Sequence, residues 1–117
     1  LAEVRAAIGD LPVEVDTLFC GRGRESTYDD ELYHLIEAVL PQHDPAGTVV
    51  PFLMTGGTDG RYLAARGMSV YGFVPLAPEP GQNLFDMAHA HDERISVANL
   101  MFGVRVLYNI VHRFCAA

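Results

Sequence analysis

Apolar residues recur along this chain in two rhythms, one near 3.6 residues and one near two, and their alternation sets the expected fold. Leu1, Val4, Ala7 and Ile8 keep helical spacing, and Gly9-Asp10 supplies a left-handed stop. After Pro12, the residues Val13, Val15, Thr17 and Phe19 alternate with Glu14, Asp16 and Leu18, the mark of a strand with one buried face. Gly21-Arg22-Gly23-Arg24 then reads as a crossing between substructures. Ser26 or Thr27 caps a second helix, with Asp29, Asp30 and Glu31 where the first-turn dipole favours negative charge. Leu32, Leu35, Ile36, Val39 and Leu40 form its buried stripe, and Pro41 stops it. The run 48–54 is apolar on both faces, as in an interior strand of a parallel sheet, although Pro51 points to an edge or a bulge.

A glycine turn at 56–59 leads into a short helix ending near Arg66-Gly67, and residues 69–73 read as the next strand. An irregular loop follows over 75–86. Ser96 caps a long helix in which Val97, Leu100, Met101, Val104, Leu107, Tyr108 and Val111 fall on one face. Strand–helix–strand–helix order predicts an α/β fold, part of a parallel-rich sheet with helices on its faces.

Composition narrows the function classes. Half of the 117 residues are hydrophobic and 20% are charged, which is material for a core rather than a disordered chain. Eight Lys and Arg against 15 Asp and Glu give a formal charge of −7, and the cations form no stripe. A nucleic-acid partner is therefore not expected. No apolar run approaches the roughly 20 residues of a membrane span. Cys20 and Cys115 match no metal or redox spacing and read as two reduced thiols. No signal peptide is recognised, and a cytoplasmic protein is expected. The helical pattern is already under way at Leu1, as in a piece of a longer protein.

Two segments could carry chemistry. Thr55-Gly56-Gly57-Thr58-Asp59 lies between an expected strand and a helix, where glycines admit a ligand close to the backbone and helix-initial N–H groups favour an anion. The same residues could be a plain tight turn with Thr58 or Asp59 as its cap. The second segment, 87–94, sets His89 and His91 beside Asp92 and Glu93 after a long loop. Imidazole and carboxylate are the donors of a hydrolytic zinc site, but a solvated capping loop has the same composition. His34 and His112 within helices, and His43 in a loop, read as surface histidines.

The run Gly56-Gly57-Thr58-Asp59-Gly60-Arg61-Tyr62-Leu63-Ala64-Ala65-Arg66-Gly67, then Tyr71-Gly72-Phe73-Val74-Pro75, then His89-Ala90-His91-Asp92-Glu93-Arg94-Ile95, carries a resemblance in order and spacing. It resembles the C-terminal part of the di-zinc family of aminoacylase, acetylornithine deacetylase, succinyl-diaminopimelate desuccinylase and carboxypeptidases of the G and S types. The resemblance implies that His89 is the last metal ligand, with His91 at a variable position. It implies that Gly56, Gly57 and Thr58 contact the carboxylate or amide region of the substrate. Asp59 and Arg61 are expected to be structural, a cap and an ion-pair partner on the helix surface, and Glu93 to orient His89. Residues 1–22 would end a lid or dimerisation domain, and 23–117 would form the C-terminal part of the catalytic domain.

The family's other metal ligands and its general base have no counterpart here. The expected function is thus the C-terminal portion of a metallopeptidase or deacylase that hydrolyses an amide bond next to a free carboxylate, inactive by itself. Its implied cofactor is zinc, two ions per site, with cobalt or manganese as substitutes. Its implied substrate is a small N-acyl amino acid or peptide. Self-association, as a homodimer, is expected through apolar faces. The alternative is a non-catalytic binding or dimerisation module of a degenerate relative. A phosphate-binding domain built on Thr55–Asp59 is less well supported, because no Lys follows the turn.

Overall fold

In the computed structural model the described residues are 1–21, 23–54 and 56–116, leaving aside the side chains at 84 and 85. Arg22, at the expected domain boundary, and Thr55, first in the glycine turn, lie outside them. The described residues form five helices: α1 (Ala2–Ile8), α2 (Glu31–His43), α3 (Gly60–Ala64), α4 (Leu84–Met87) and α5 (Val97–Cys115). No strand occurs among them, so the expected parallel-rich α/β sheet is overturned.

The physical reason lies in what a strand requires. Periodicity says which side chains favour burial, whereas a strand exists only when a neighbour supplies ladder hydrogen bonds. Segments 49–54 and 71–73 do line one shallow hollow of about 150 Å³, floored by Tyr33 and Ile36 of α2. No backbone bond joins them among the described residues. Phe52 and Leu53 stay 72% and 81% exposed. The alternating segment after Pro12 likewise leaves Val13, Leu18 and Phe19 exposed.

The core sits between α2 and α5. Ile36 and Val39 of α2 meet Val106 and Ile110 of α5, with Leu32, Leu35, Val49, Tyr71, Phe73 and Phe102 packed around them. Val39 and Val106 are completely buried. The cap of α2 is Asp30, whose carboxylate accepts from the Tyr33 N–H at 2.9 Å. Ser26 and Thr27, the expected caps, do other work. The Ser26 hydroxyl donates to the Val70 carbonyl, and the Thr27 carbonyl accepts from the Tyr71 hydroxyl. Pro41 does not end the helix. It lies inside α2, which runs two residues further, to His43. Near a C-terminus the missing proline N–H costs one bond, and the Asp44 N–H still reaches the Leu40 carbonyl.

Ser96 caps α5 as expected, accepting from the Asn99 N–H. The helix has two apolar faces, however. Asn99, Phe102, Gly103, Val106 and Ile110 turn inward or are partly covered. The residues that define the sequence stripe lie outward instead: Val97, Leu100, Met101, Val104, Leu107, Tyr108 and Val111 are all 43% exposed or more. The radius of gyration is 18.6 Å, against roughly 13 Å for a compact domain of this length. The accessible surface is 9800 Å², against roughly 6,300 Å². No helix among the described residues is long and apolar enough to cross a membrane.

Candidate functional site

The glycine turn is positioned from α2 outward. At the N-terminus of that helix, the Asp30 carboxylate takes the Ser69 hydroxyl and the Tyr33 N–H. These bonds hold Asp30 below the usual carboxylate range, the Ser69 hydroxyl contributing most. Tyr71 stacks edge-on against Tyr33 with ring centres 5.7 Å apart. Burial, followed by the nearby Asp30, pushes the Tyr71 hydroxyl up to about 12. It is therefore a proton donor throughout the physiological range, and it bonds the Thr27 carbonyl at 2.7 Å.

With residues 69–71 fixed in this way, Val70 seats Gly60, the first residue of α3. A Cβ on Gly60 would lie 2.6 Å from Val70 Cγ1 and 2.9 Å from Thr58 Oγ1. Only glycine fits that approach. The Thr58 hydroxyl accepts from the Gly60 N–H at 3.1 Å, and so closes the turn. Asp59, the alternative cap, makes no side-chain capping bond. Arg61 forms no ion pair among the described residues. Its guanidinium lies over the Phe19 ring at 5.2 Å and the Tyr62 ring at 4.7 Å, which sets Phe19 beside α3. Gly56 and Gly57 are exposed, leaving their backbone open to a ligand.

His89 is positioned from α5. The Asn99 side chain accepts from the Ala77 N–H at 2.7 Å and donates to the Ala77 carbonyl at 3.0 Å. The Ser96 hydroxyl donates to the Glu79 carboxylate at 2.5 Å. These bonds tie together the two ends of an excursion over residues 80–95, which contains α4 and His89. Within it, turns close through Ala90 N–H to Met87 carbonyl and Glu93 N–H to Ala90 carbonyl. His89 has φ of 64°, the left-handed region, and it is the one non-glycine among the described residues to adopt it. Histidine enters that region at a cost that a surrounding structure must meet.

His89 and His91 are both exposed, as are Asp92 and Glu93. No hydrogen bond or ion pair joins the His89 ring to Glu93, or to the turn at 56–58, among the described residues. No group of three His, Cys, Asp or Glu side chains among those residues could hold a metal ion. Structural zinc sites use four protein ligands and catalytic ones three. The described residues thus do not compose a zinc site by themselves, and no catalytic step is derived through one.

The remaining histidines divide. His34 bonds Glu37 and Asp29, each at 3.0 Å, and these bonds raise its pKa above the ordinary 6.5, that from Glu37 foremost. His43 is the last residue of α2 rather than a loop residue. It is half-buried and lies 3.2 Å from the Asn109 amide of α5. The positioning roles of Asn99 and Glu79 were not read from the sequence. The available signal was a polar residue one turn after a serine cap, on the face opposite the apolar stripe.

The turn at 56–61 and the loop at 89–94 thus hang from the two packed helices, in the order the resemblance requires. The sequence profile of Peptidase family M20/M25/M40 matches residues 3–113, nearly the whole chain. The chain belongs to this family of peptidases. No curated protein sequence and no solved structure matches it. Within the peptidase family M20/M25/M40 a hydrolase relationship follows, and such enzymes are generally metal-dependent.

Proposed function

We propose that this chain is the C-terminal portion of a metallopeptidase or deacylase hydrolysing an amide bond next to a free carboxylate. Residues 1–22 are taken as the end of a lid or dimerisation unit, and 23–117 as part of the catalytic one. His89 contributes one imidazole to a zinc site whose other donors lie outside these residues. When bound, the metal supplies an activated water and polarises the scissile carbonyl. The chain's own residues bind and orient the substrate. Gly56 and Gly57 present backbone N–H groups to its carboxylate, and Thr58 braces that turn from within. A small N-acyl amino acid or peptide fits such a site.

The family match across both segments carries this reading. The left-handed backbone of His89 supports it, because strain of that kind concentrates where a side chain must be aimed. The test is turnover of a panel of N-acyl amino acids and dipeptides by the full-length protein, with zinc, cobalt or manganese added. His89→Ala should lose one metal equivalent and about a hundredfold or more in turnover. Undiminished metal content and turnover in that variant would exclude His89. Absence of turnover by metal-loaded wild type on every amide tried would overturn the peptidase reading itself.

A further inference from the structure

Residues 26–30 run ahead of α2 as a strap, bound to residues 69–71 at three points. The Ser26 hydroxyl donates to the Val70 carbonyl, the Tyr71 hydroxyl to the Thr27 carbonyl and the Ser69 hydroxyl to the Asp30 carboxylate. Val70 in turn seats Gly60, at the base of the glycine turn. The side chain of Asp29 points the other way, to α2, where its carboxylate lies 3.0 Å from His34 Nε2. The opposite ring nitrogen, Nδ1, lies 3.0 Å from the Glu37 carboxylate, one turn further along the helix.

An ionised carboxylate only accepts, and a neutral imidazole carries one N–H, so a ring with a carboxylate on each nitrogen is satisfied only as the imidazolium. Once the ring loses a proton, one nitrogen turns a lone pair on a carboxylate and that contact becomes repulsive. Glu37 sits three residues ahead on the same helix and stays within reach whatever the strap does. Asp29 lies outside the helix and its side chain is 87% exposed, so its contact is the one that lapses. We propose that His34 is a proton-operated latch: charged, it fastens the strap to α2 through Asp29 and so steadies residues 69–71 and the glycine turn; neutral, it keeps Glu37 and lets Asp29 go. The latch does not depend on what the turn binds.

The other groups near His34 leave this choice to the two carboxylates. Asp30 commits its carboxylate to Ser69 and the Tyr33 N–H, and Glu31, one turn earlier on α2, makes no bond to the ring among the described residues. Tyr33 stands edge-on at 6.3 Å, and burial pushes its hydroxyl up, so it stays neutral. Residues 69–71 offer only the Ser69 hydroxyl and the Tyr71 hydroxyl, which at about 12 keeps its proton. No charged group of α5 acts on the ring among the described residues. The positive end of the α2 dipole opposes the imidazolium, and Glu37 and Asp29 outweigh it. The latch is therefore closed on the acid side and opens as pH rises through the His34 midpoint.

NMR of the full chain between pH 5 and 9 tests the latch. Amide exchange, referred at each pH to the unstructured rate, should show the Tyr33 N–H, which Asp30 accepts, about twofold better protected below the His34 midpoint than above it. The Val70 and Gly60 amide resonances should move with the same midpoint as the His34 ring. His34→Gln should remove all three steps. Asp29→Ala separates a latch from a bare titration: the ring still titrates against Glu37, while the steps at Tyr33, Val70 and Gly60 disappear. Coupling is reciprocal, so Ser26→Ala, which loosens the strap from Val70, should lower the His34 midpoint by up to about 0.3 pH unit, the equivalent of a twofold effect. Val70 and Gly60 resonances that ignore the His34 midpoint, or Tyr33 protection that grows with pH, would overturn the latch. Steps that persist in Asp29→Ala, or a midpoint unmoved by Ser26→Ala, would overturn the route through the strap.

Discussion

Replacing Asn99 by alanine separates the helix pair from the loop that carries His89. Asn99 is 3% exposed, and its amide makes two bonds to the backbone of Ala77. Each such bond contributes a net of about 1 kcal/mol, and stranding half-buried partners raises the loss for the pair to about 2 to 3 kcal/mol. Alanine recovers about 0.5 kcal/mol through helix propensity, leaving a net loss of about 2 kcal/mol. The bond from the Asn99 N–H to Ser96 survives, since it is backbone. Urea unfolding followed by circular dichroism reads the total, and amide exchange at Ala77 reads the local part. Asn99→Asp sharpens the reasoning. It keeps an acceptor for the Ala77 N–H but sets a carboxylate against the Ala77 carbonyl. That variant should be at least as unstable as alanine near neutral pH and should recover as the acid protonates. An alanine variant within about 0.5 kcal/mol of wild type, with unchanged exchange at Ala77, would refute the account.

Three further outcomes are expected. Gly60→Ala drives a methyl into Val70 and Thr58 and should cost about 1 to 3 kcal/mol, and pairing it with Val70→Ala should recover part of that loss in a double-mutant cycle. Additive losses would mean that the two residues do not meet. His34 should titrate above 6.5 by NMR, and Glu37→Gln should lower its midpoint. Because the folded pKa is raised, the His34 bonds add stability below 6.5, and that share fades as pH rises through the folded value. A stability share that grew with pH would contradict them. His89→Gly relieves the left-handed backbone and should stabilise the fold by about 0.5 to 1 kcal/mol. A net loss would show that the imidazole itself holds the loop.

The helices were legible wherever a local signal specified them. The Ser96 cap marks the start of α5 because capping is decided within four residues. The end of α1 at Gly9, with φ of 57°, follows from a residue free to turn left-handed. The four-residue α4 was not anticipated, since one turn inside a proline-rich loop leaves no periodic trace. The cap of α2 fell to Asp30: the Ser26 hydroxyl is engaged by the Val70 carbonyl, 44 residues away, and the Thr27 hydroxyl accepts from the Asp29 N–H. The outward face of α5 was legible as a stripe but not as a surface. An apolar pattern does not say whether its partner is present, and Gly103 and Val106 packed on the other side. The strands failed for the same reason. At the candidate site, the glycine turn and His89 were readable as motifs, whereas the left-handed backbone and the bonds at the base of the loop depend on contacts distant in sequence.

The paired ends of the 80–95 excursion make it a cassette. Its entry and exit are fastened to α5 by Ala77 with Asn99 and by Glu79 with Ser96, so its interior can open, lengthen or be exchanged while the helix pair stays closed. Relatives could therefore diversify what surrounds His89 by altering the span alone, with the scaffold sensing only the two attachment points.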